Sequence, residues 1–459
     1  MTTTTAAPAT ARAVHPLLLT ALLTAQFMAL LDTSVVNVAG PTIRTDLDTS
    51  GAGLQLVISG YTIVYAMLIV TGSRLGGRLG FRRVFNAGLI VFTLASLLCG
   101  LAWDDASLIG ARAVQGAGAA LMVPQVLNLI QATYTGVDRA RAMGRYAAVI
   151  AGGMVAGQVV GGLLVSADLF GLSWRPVFLI NIPVGIALYV LARRALPAGG
   201  TSSARGLDGP GLALLAPALL ALVVPLVMGH ELDWPTWGWL SLAACVVLFV
   251  AFAAVERRAP APLIPVSLLR VPGVLAGAIT LLLVMTAFGG LMFATALYVQ
   301  NGLGYSALEA GLTFIPSSVV FAGVSLRWQL LPAAWHPRLP MIGMPIGAVG
   351  FALSAWAFGT GQPLAVLLAV MVVGSFGLGV AYSPVMMLSL RRVPLPQAPD
   401  ASGLMVTMIQ LGQVLGVAAF GTLYLSIGTD FHHAGEVTAT AIAATVLLTT
   451  APAARLSRG

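Results

Sequence analysis

The stretch LLLTALLTAQFMALLDTSVVNVAG, residues 17–40, decides the fold of this chain. It is apolar except for small polar side chains and one carboxylate, Asp32. A helix needs about 20 apolar residues to cross a bilayer. A signal peptide has an apolar core of only about 7–15 residues before its cleavage site, whereas this run is longer and continues. We therefore interpret it as a permanent membrane helix.

The rest of the chain has the same character. Hydrophobic residues make up 58% of the sequence and charged residues only 8%, whereas a soluble protein carries about 25% charged residues. With the first stretch, fourteen apolar segments are long enough to be membrane helices. Their approximate bounds are 16–40, 54–72, 84–102, 106–131, 142–167, 174–194, 210–229, 236–254, 273–299, 305–326, 339–358, 362–390, 400–427 and 436–454.

These segments predict an all-α membrane protein with 14 transmembrane helices arranged as 6+2+6. Transporters are often built from two repeated helical halves with the substrate between them. The predicted domains are a cytoplasmic N-terminal tail (1–15), an N-terminal six-helix bundle (16–195), a linker with two extra transmembrane helices (196–272), a C-terminal six-helix bundle (273–455) and a C-terminal tail (456–459).

The distribution of arginine indicates the orientation, because all 23 basic residues are arginine. If both termini are cytoplasmic, only Arg44 and Arg175 lie in outside loops, Arg112 lies within a span, and the remaining arginines face the cytoplasm. Cytoplasmic loops of membrane proteins carry the excess of positive charge. We therefore predict a multi-pass plasma-membrane protein with cytoplasmic termini, and no nucleic-acid partner.

No pattern typical of an enzyme or a metal protein occurs in the sequence. Cys99 and Cys245 lie in separate apolar runs, so we expect neither a disulfide nor a thiolate metal site. There is no HExxH motif, no phosphate-binding GxxxxGK(S/T) loop and no Cys/His cluster, and the adjacent His432 and His433 are only a weak metal signal. We expect no catalytic residue, metal or cofactor.

Two ionisable residues, Asp32 and Arg112, lie deep within predicted spans. A charge at the bilayer centre costs at least ~2.5–3.5 kcal/mol, so such a residue is a functional candidate. At 1.5 Å per residue, Asp32 lies roughly 22 Å and Arg112 roughly 21 Å from the cytoplasmic side. We therefore expect both side chains at one level, facing a central cavity.

Two interpretations of this pair remain open. The pair could be a structural ion pair that joins the first predicted helix to the fourth. Alternatively, Asp32 could bind a proton and be discharged by cargo in turn, with Arg112 tuning its proton affinity. Burial disfavours a charged carboxylate and a nearby cation favours it, so a balance of the two allows proton exchange near neutral pH.

At these residues the sequence resembles the fourteen-span drug:proton antiporters of the major facilitator superfamily, the EmrB/QacA-like branch. The run 31–39 is similar to the branch signature in the first helix, whose aspartate is the proposed proton site, and this role carries over to Asp32. The arginine of the helix-4 motif is assigned to proton coupling, which carries over to Arg112. The residues that match this motif are Leu108, Arg112, Gln115, Gly116, Gly118, Ala119 and Ala120.

The loop 73–85 is similar to the superfamily's loop between helices 2 and 3, which helps to close the cytoplasmic gate. Its matching residues are Arg78, Gly80, Arg82 and Arg83. It departs at Phe81 and at Gly77, where relatives have an aspartate. We therefore expect this gate to depend on helix-end dipoles and on the three arginines.

The fifth span resembles the glycine-rich antiporter motif, with Gln158 where that motif has proline. Its glycines are Gly153, Gly157, Gly161 and Gly162. Close helix packing alone also explains glycines at this spacing. Further similarities cover 174–185, 298–316 and 402–421. The resemblance, which extends over nearly the whole chain, implies the major facilitator fold and export rather than import.

An exporter pocket for lipophilic compounds should be apolar and aromatic, with a few polar anchors. The candidate substrate-binding residues are Gln26, Phe27, Tyr61, Tyr65, Gln125, Gln158, Phe293, Gln300, Phe376, Tyr382 and Gln410. Packing or lipid contact remains the alternative for each of them. The amides are the better candidates, because an amide in a span needs a partner or a wet cavity.

Together these patterns predict a proton-coupled antiporter that exports lipophilic drugs, antibiotics or natural products by alternating access. Its expected partners are the cargo, protons and the lipid bilayer, and we expect it to function as a monomer. One alternative is a facilitator-type carrier for a lipid or metabolite, which vesicle uptake and efflux measurements would distinguish. Another is a non-transporting membrane scaffold, which would require a sizeable soluble domain that the pattern does not predict.

Overall fold

The computed structural model of the protein describes residues 16–197, 209–229, 232–259, 262, 265–394, 397–428 and 430–458. The predicted tail 1–15, Arg205 of the predicted linker, Glu231 and residue 459 lie outside the described residues. The described residues form helices joined by short turns and contain no β-strand. The prediction of an all-helical protein is confirmed.

The helices of the first part of the chain follow the predicted spans and extend beyond several of them. They are α1 (Leu18–Asp46), α2 (Gly51–Leu79), α3 (Phe81–Gly100), α4 (Asp105–Thr133), α5 (Gly136–Ala167), α6 (Pro176–Leu179), α7 (Asn181–Ala195), α8 (Gly209–Met228), α9 (Thr236–Glu256) and α10 (Val266–Leu269). The predicted span 174–194 corresponds to α6 and α7 together. Ile180 between them has right-handed helical dihedral angles (φ −59°, ψ −28°), and Pro176–Ala195 is one candidate membrane span.

The remaining helices are α11 (Val274–Leu297), a π-helical turn (Tyr298–Gly302), α12 (Ala307–Leu312), α13 (Ile315–Arg327), α14 (Leu339–Gly359), α15 (Leu364–Leu390), α16 (Ala398–Ser426), α17 (Phe431–Leu448) and α18 (Thr450–Arg458). The predicted C-terminal tail 456–459 therefore contains the end of a helix. Leu456 in α18 is buried, which anchors this helix.

Polar residues mark several helix boundaries. Ser50 accepts a hydrogen bond from the backbone of Gly53 at the start of α2, and Asp104 forms a capping box with Ser107 at the start of α4. Such caps satisfy backbone N–H groups that have no partner within the helix. Glu309 belongs to a similar capping box at α12, so it stabilises a helix end.

Thirteen helical segments within the described residues are long and apolar enough to cross a membrane. The predicted seventh span corresponds to α8. Its apolar stretch Gly209–Leu222 is too short to count among these thirteen membrane-spanning segments. The chain is therefore a multi-pass helical membrane protein, and a fourteenth span remains a prediction.

Close backbone contacts hold α1–α7 together as a first helical group. A Cβ atom added to Gly116 would lie 2.4 Å from the carbonyl oxygen of Tyr61, so α4 and α2 approach closely. Glycines of α5 do the same against α1, where Gly153 faces Leu30 and Gly161 faces Val35. The spacing of the α5 glycines therefore serves close packing, as the packing alternative proposed.

The second helical group, α11–α18, packs in the same way and meets the first along two seams. In one seam α5 contacts α12 and α13, where Gly162 faces Leu308. In the other seam α2 and α4 contact α16. Helices α8 and α9 pack on each other, and α8 covers the second seam by contacting α2 and α16. Helices α8 and α9 thus lie beside the two groups rather than between them.

We expect Gly157→Ala to destabilise the protein. The new Cβ would lie 2.0 Å from the hydroxyl of Ser34 and 2.6 Å from the carbonyl oxygen of Leu31, and such overpacking costs about 1–3 kcal/mol. Gly152→Ala in the same helix is the matched control, because no other group lies within 4 Å of the methyl that it adds. Thermal unfolding in detergent should rank Gly157→Ala below both Gly152→Ala and the parent; equal midpoints would contradict the packing described.

Candidate functional site

Asp32 of α1 and Arg112 of α4 form an ion pair inside the first helical group. Their side chains are both fully buried, and the guanidinium Nη1 lies 2.5 Å from the carboxylate Oδ2. The predicted common depth of the two residues therefore brings them into direct contact. A buried ion pair needs further hydrogen bonds to offset the loss of hydration.

Neighbouring amides supply those hydrogen bonds. The amide nitrogens of Gln115 and Asn181 donate to Oδ1 of Asp32 over 2.7 and 2.9 Å. Gln115 also donates to the hydroxyl of Ser96 and accepts from Nη1 of Arg112 at 2.6 Å. The carboxylate on α1 is thus held by side chains of α4 and α7 in an ionised arrangement. The sequence predicts Gln115 as a structural residue, and its position links both members of the pair.

The guanidinium of Arg112 is enclosed by the other helices of the group. Its Nε donates to the carbonyl oxygen of Val57 in α2 over 3.2 Å. Its central carbon lies 4.6 Å from the ring centroid of Tyr61 and 5.7 Å from that of Phe178, which adds cation–π attraction. Its Nη2 is buried without a hydrogen-bond partner. A buried donor without a partner costs free energy. Nη2 of Arg112 is therefore a donor beside the ion pair that could still accept a hydrogen-bonding partner.

The expectation that Asp32 and Arg112 face a central cavity is not met in this conformation, because neither side chain has accessible surface. The reason is that α2, α3, α6 and α7 close around the pair. Reaching the carboxylate with water or a proton therefore requires helix movement. The geometry fits the structural interpretation of the pair, and it fits proton binding only if the first group opens locally.

Some candidate pocket residues lie within the first group instead of between the groups. Gln125 is fully buried and donates to the carbonyl oxygens of Gly72 and Leu121. Asn128 donates in turn to the side-chain oxygen of Gln125. The side chain of Gln125 thus holds α4 against α2, so the structure gives Gln125 a packing role. Tyr61 likewise lies against Arg112.

Three tyrosines belong to one hydrophobic core cluster that includes residues of both helical groups. They are Tyr65 of α2, Tyr146 of α5 and Tyr382 of α15. All three are buried, and the hydroxyl of Tyr382 has no hydrogen-bond partner. The sequence predicts Tyr65 and Tyr382 as pocket residues. It does not single out Tyr146, because one tyrosine in an apolar helix carries no distinguishing pattern.

The other candidate pocket residues are scattered. Gln26 of α1 is buried, and its side-chain oxygen has no partner. Gln158 contacts Gly311 in the α5 seam, and Phe293 contacts Gly421 within the second group. Phe376 is exposed. The half-buried remainder is Phe27, Gln300 and Gln410. The structure does not gather these residues into one closed cavity.

The arginines predicted to close the cytoplasmic gate do not join the two groups. Arg82 donates over 2.5 Å to the carbonyl oxygen of Arg193 in α7, within the first group. Arg78 and Arg83 are exposed. Gly80 has φ 96° and separates α2 from α3, which explains a glycine at this position. The gating role of the three arginines stays a prediction.

At the opposite end of the first group, Asp46 binds two neighbouring side chains. Arg175 lies 2.7 Å from its carboxylate and Trp174 donates to it over 2.8 Å. The hydrogen bond from Arg175, followed by that from Trp174, lowers the pKa of Asp46. This carboxylate lies beyond the membrane span Leu18–Gly40 and stays ionised at neutral pH, so it does not compete with Asp32 as a proton carrier.

No group of three or more His, Cys, Asp or Glu side chains is placed to hold a metal ion in the described part of the chain.

The family model of the Major Facilitator Superfamily matches residues 22–417 of this sequence. Solved structures share the fold. The match to the proton:xylose symporter XylE has a TM-score of 0.69 at 15% sequence identity and covers 95% of this chain and 94% of the XylE chain. The match to the human organic anion transporter MFSD10 has a TM-score of 0.68 at 14% sequence identity and covers 95% of this chain and 98% of the MFSD10 chain.

Curated relatives are more similar in sequence. The probable actinorhodin transporter of Streptomyces coelicolor is 37% identical over 414 residues, which are 88% of this chain and 72% of that protein. The cephamycin export protein CmcT of Amycolatopsis lactamdurans is 38% identical, with 87% and 83% covered. The methylenomycin A resistance protein of Streptomyces coelicolor is 33% identical, with 94% and 90% covered. The chain therefore belongs to the Major Facilitator Superfamily and is a multi-pass membrane transporter.

Proposed function

We propose that this protein is a proton-coupled antiporter that exports lipophilic small molecules by alternating access. The observation that carries the proposal is the fully buried contact between Asp32 and Arg112 within membrane helices. Such a charge in the membrane marks proton relays and substrate pathways. The names of the relatives, which refer to antibiotic export or resistance, support the direction of transport and the class of cargo.

The proton step follows from what holds the carboxylate. Ionised Asp32 binds Arg112, Gln115 and Asn181 and so joins α1 to α4 and α7. Protonation of Oδ2 removes the charge that attracts the guanidinium and makes that oxygen a donor toward Nη1 of Arg112, which is itself a donor. The link between these helices is then weakened. Proton binding would in this way favour a conformation in which the first group is rearranged.

The cargo would bind where the two groups meet. The buried tyrosines Tyr65, Tyr146 and Tyr382 belong to the hydrophobic core cluster that includes residues of both groups, and the hydroxyl of Tyr382 has no hydrogen-bond partner and could bind a polar group of the cargo. Apolar walls with few polar groups suit lipophilic molecules. Natural-product antibiotics of the kind that the relatives are named for fit this chemistry.

We further propose that the chain belongs to the fourteen-span branch, with two bundles of six and with α8 and α9 as the extra pair. The apolar α8 supports this assignment, since it packs along α9 beside the α2–α16 seam. An even number of spans, together with the concentration of arginine in the loops on one side, would put both termini in the cytoplasm of the cell. The transport unit is a monomer in this proposal.

We expect cargo to be neutral or to carry one positive charge. The buried charged residues in the described part of the chain are Asp32, Arg74, Arg112 and Glu256, and Glu256 ends α9 outside the two groups. One central carboxylate can release one proton and balance one cation, and a second cationic charge would stay unpaired at high cost. Exchange of a monocation for one proton is then electroneutral, whereas exchange of a neutral compound moves charge.

Proteoliposomes with separately imposed pH and voltage gradients test this prediction. A monocation should respond to the pH gradient alone. A neutral compound should also respond to voltage, at about 2.3 kcal/mol per charge per 100 mV. Efflux with no response to either gradient would contradict proton antiport and favour a facilitated carrier. Efficient export of a dication that depends on Asp32 would show a second acidic site.

A further inference from the structure

The connection between α13 and α14 exposes three large apolar side chains. Leu330, Leu331 and Trp335 are 80%, 42% and 50% exposed, and the residues between them, 332–334, are exposed as well. None of the residues 330–335, here called the apolar loop, carries a charge, an amide or a hydroxyl group in its side chain. A contiguous exposed apolar surface of this kind indicates a binding surface for lipid or protein.

The position of the apolar loop in the chain limits what can cover it. The candidate membrane spans Leu308–Leu330 and Ala333–Gly359 leave only residues 331 and 332 between them. The chain therefore turns at the membrane surface, without an excursion into water. With the termini in the cytoplasm, as proposed above, this turn lies at the inner leaflet.

A buried tryptophan fixes the apolar loop from the protein side. Trp328 is 2% exposed and packs in one apolar cluster with Ala140 of α5. Its ring centroid lies 4.8 Å from that of His336, and Nε2 of His336 donates to the carbonyl oxygen of Leu331 over 2.9 Å. The exposed side chains are thus presented by an ordered turn, and a rigid surface loses little entropy when it binds a partner.

The charges that flank the apolar loop in the sequence have one sign. Arg327 precedes the loop and Arg338 follows it; both are exposed, and neither forms an ion pair in the described part of the chain. Helix α15 contacts the segment 333–338 and is followed by Arg391 and Arg392. No Asp or Glu occurs in the sequence from 310 to 399. The surface therefore complements negatively charged groups, and guanidinium groups match phosphates in charge and in geometry.

We propose that the apolar loop and its two flanking arginines bind anionic phospholipids of the inner leaflet. Leu330 and Trp335 lie among the upper acyl chains, and Arg327 and Arg338 bind the headgroup phosphates. Apolar insertion and attraction to negative headgroups add to each other in segments at the membrane interface. Because Trp328 belongs to the same turn, bound lipid also stabilises the contact of this turn with α5. The proposal concerns attachment to lipid, so its outcome is independent of proton antiport.

Quenching by brominated lipid measures the lipid preference at the apolar loop. Trp335→Cys is labelled with an environment-sensitive fluorophore, and the parent, whose Cys99 and Cys245 are buried, gives the background. Brominated phosphatidylglycerol diluted in phosphatidylcholine should quench the probe more strongly than the same fraction of brominated phosphatidylcholine diluted in phosphatidylglycerol. Arg327→Gln and Arg338→Gln should each lower the relative affinity for phosphatidylglycerol about fivefold, since each arginine adds attraction to an anionic surface.

Two matched variants control for position and for charge. Trp103, which is 79% exposed, lies beside Asp104 and Asp105 at the end of the molecule predicted to be outside, so a probe on Trp103→Cys should show no preference for phosphatidylglycerol. Arg141→Gln should leave the preference at position 335 unchanged, because Arg141 is already paired with Asp138. Equal quenching of the probe at position 335 by both brominated lipids would overturn the anionic preference. Quenching by neither lipid would show that the apolar loop faces water and is open to a soluble partner.

Thermal unfolding gives a second measurement that needs no added cysteine. Phosphatidylglycerol added to the protein in detergent should raise the unfolding midpoint of the parent, because a ligand that binds only the folded state stabilises it. The rise should be lost in the double variant Arg327→Gln with Arg338→Gln, whose midpoint without this lipid should match that of the parent, since both arginines are exposed. Inorganic phosphate should give no rise. A rise with inorganic phosphate, or an equal rise with phosphatidylglycerol in the double variant, would overturn the assignment of the surface to anionic lipid.

Discussion

Asp32→Asn is expected to reduce efflux driven by a pH gradient to the background of empty vesicles, while cargo exchange between solutions of equal pH continues. Asparagine has the shape of aspartic acid but cannot bind and release a proton. It therefore resembles the protonated residue permanently, and the transporter can still change conformation around cargo. A merely structural role for Asp32 would impair both activities together, so the difference between them identifies the proton site.

The comparison requires equal amounts of folded protein, because Asp32→Asn also leaves Arg112 without its anion. Efflux should be normalised to the monodisperse fraction recovered in detergent. Asp138→Asn is the matched control, since Asp138 forms an exposed ion pair with Arg141 at the start of α5. That variant should retain both activities. Uphill efflux by Asp32→Asn at the parental rate would contradict proton coupling through this residue.

The sequence is sufficient to predict much of the scaffold. Long apolar runs have few structural alternatives, because a helix in lipid satisfies all of its own backbone groups. The common depth of Asp32 and Arg112 could be predicted for the same reason, as a straight helix rises by a fixed distance per residue. The observed contact of 2.5 Å between them follows from this depth and from the close packing of the first group.

What the sequence could not show depends on distant contacts. Asn181 donates to Asp32, which lies far from it in sequence, and the hydropathy of the span around Asn181 does not indicate this partner. The closed packing around the ion pair results from how several helices meet, which no local pattern reports. The sequence groups Arg74 with the arginines that set topology, because its partners Asp400 and Pro262 come from parts of the chain far away in sequence.

The second large effect is expected on stability. Arg112→Met should lower the free energy of unfolding by about 3–5 kcal/mol, since it leaves the Asp32 carboxylate buried without its cation. The substitution also removes the hydrogen bond to Val57 and the contact with the Tyr61 ring. Unfolding in mixed micelles measures the loss. Arg141→Met breaks the exposed pair with Asp138 and should show no measurable loss, because exposed ion pairs contribute little.

The double variant Asp32→Asn with Arg112→Met then separates folding from transport. Without either charge, the carbonyl oxygen of the asparagine can still accept the hydrogen bonds that Gln115 and Asn181 donate to Oδ1 of Asp32, and methionine fills the space beside Tyr61. Replacing both members of a buried pair is often neutral for stability, so most of the loss caused by Arg112→Met should be recovered. Transport driven by a pH gradient should stay absent. If the double variant is as unstable as Arg112→Met, the guanidinium stabilises the first helical group mainly through its contacts with Val57 and the aromatic rings. If the double variant still transports cargo against a gradient, the ion pair has no part in proton coupling.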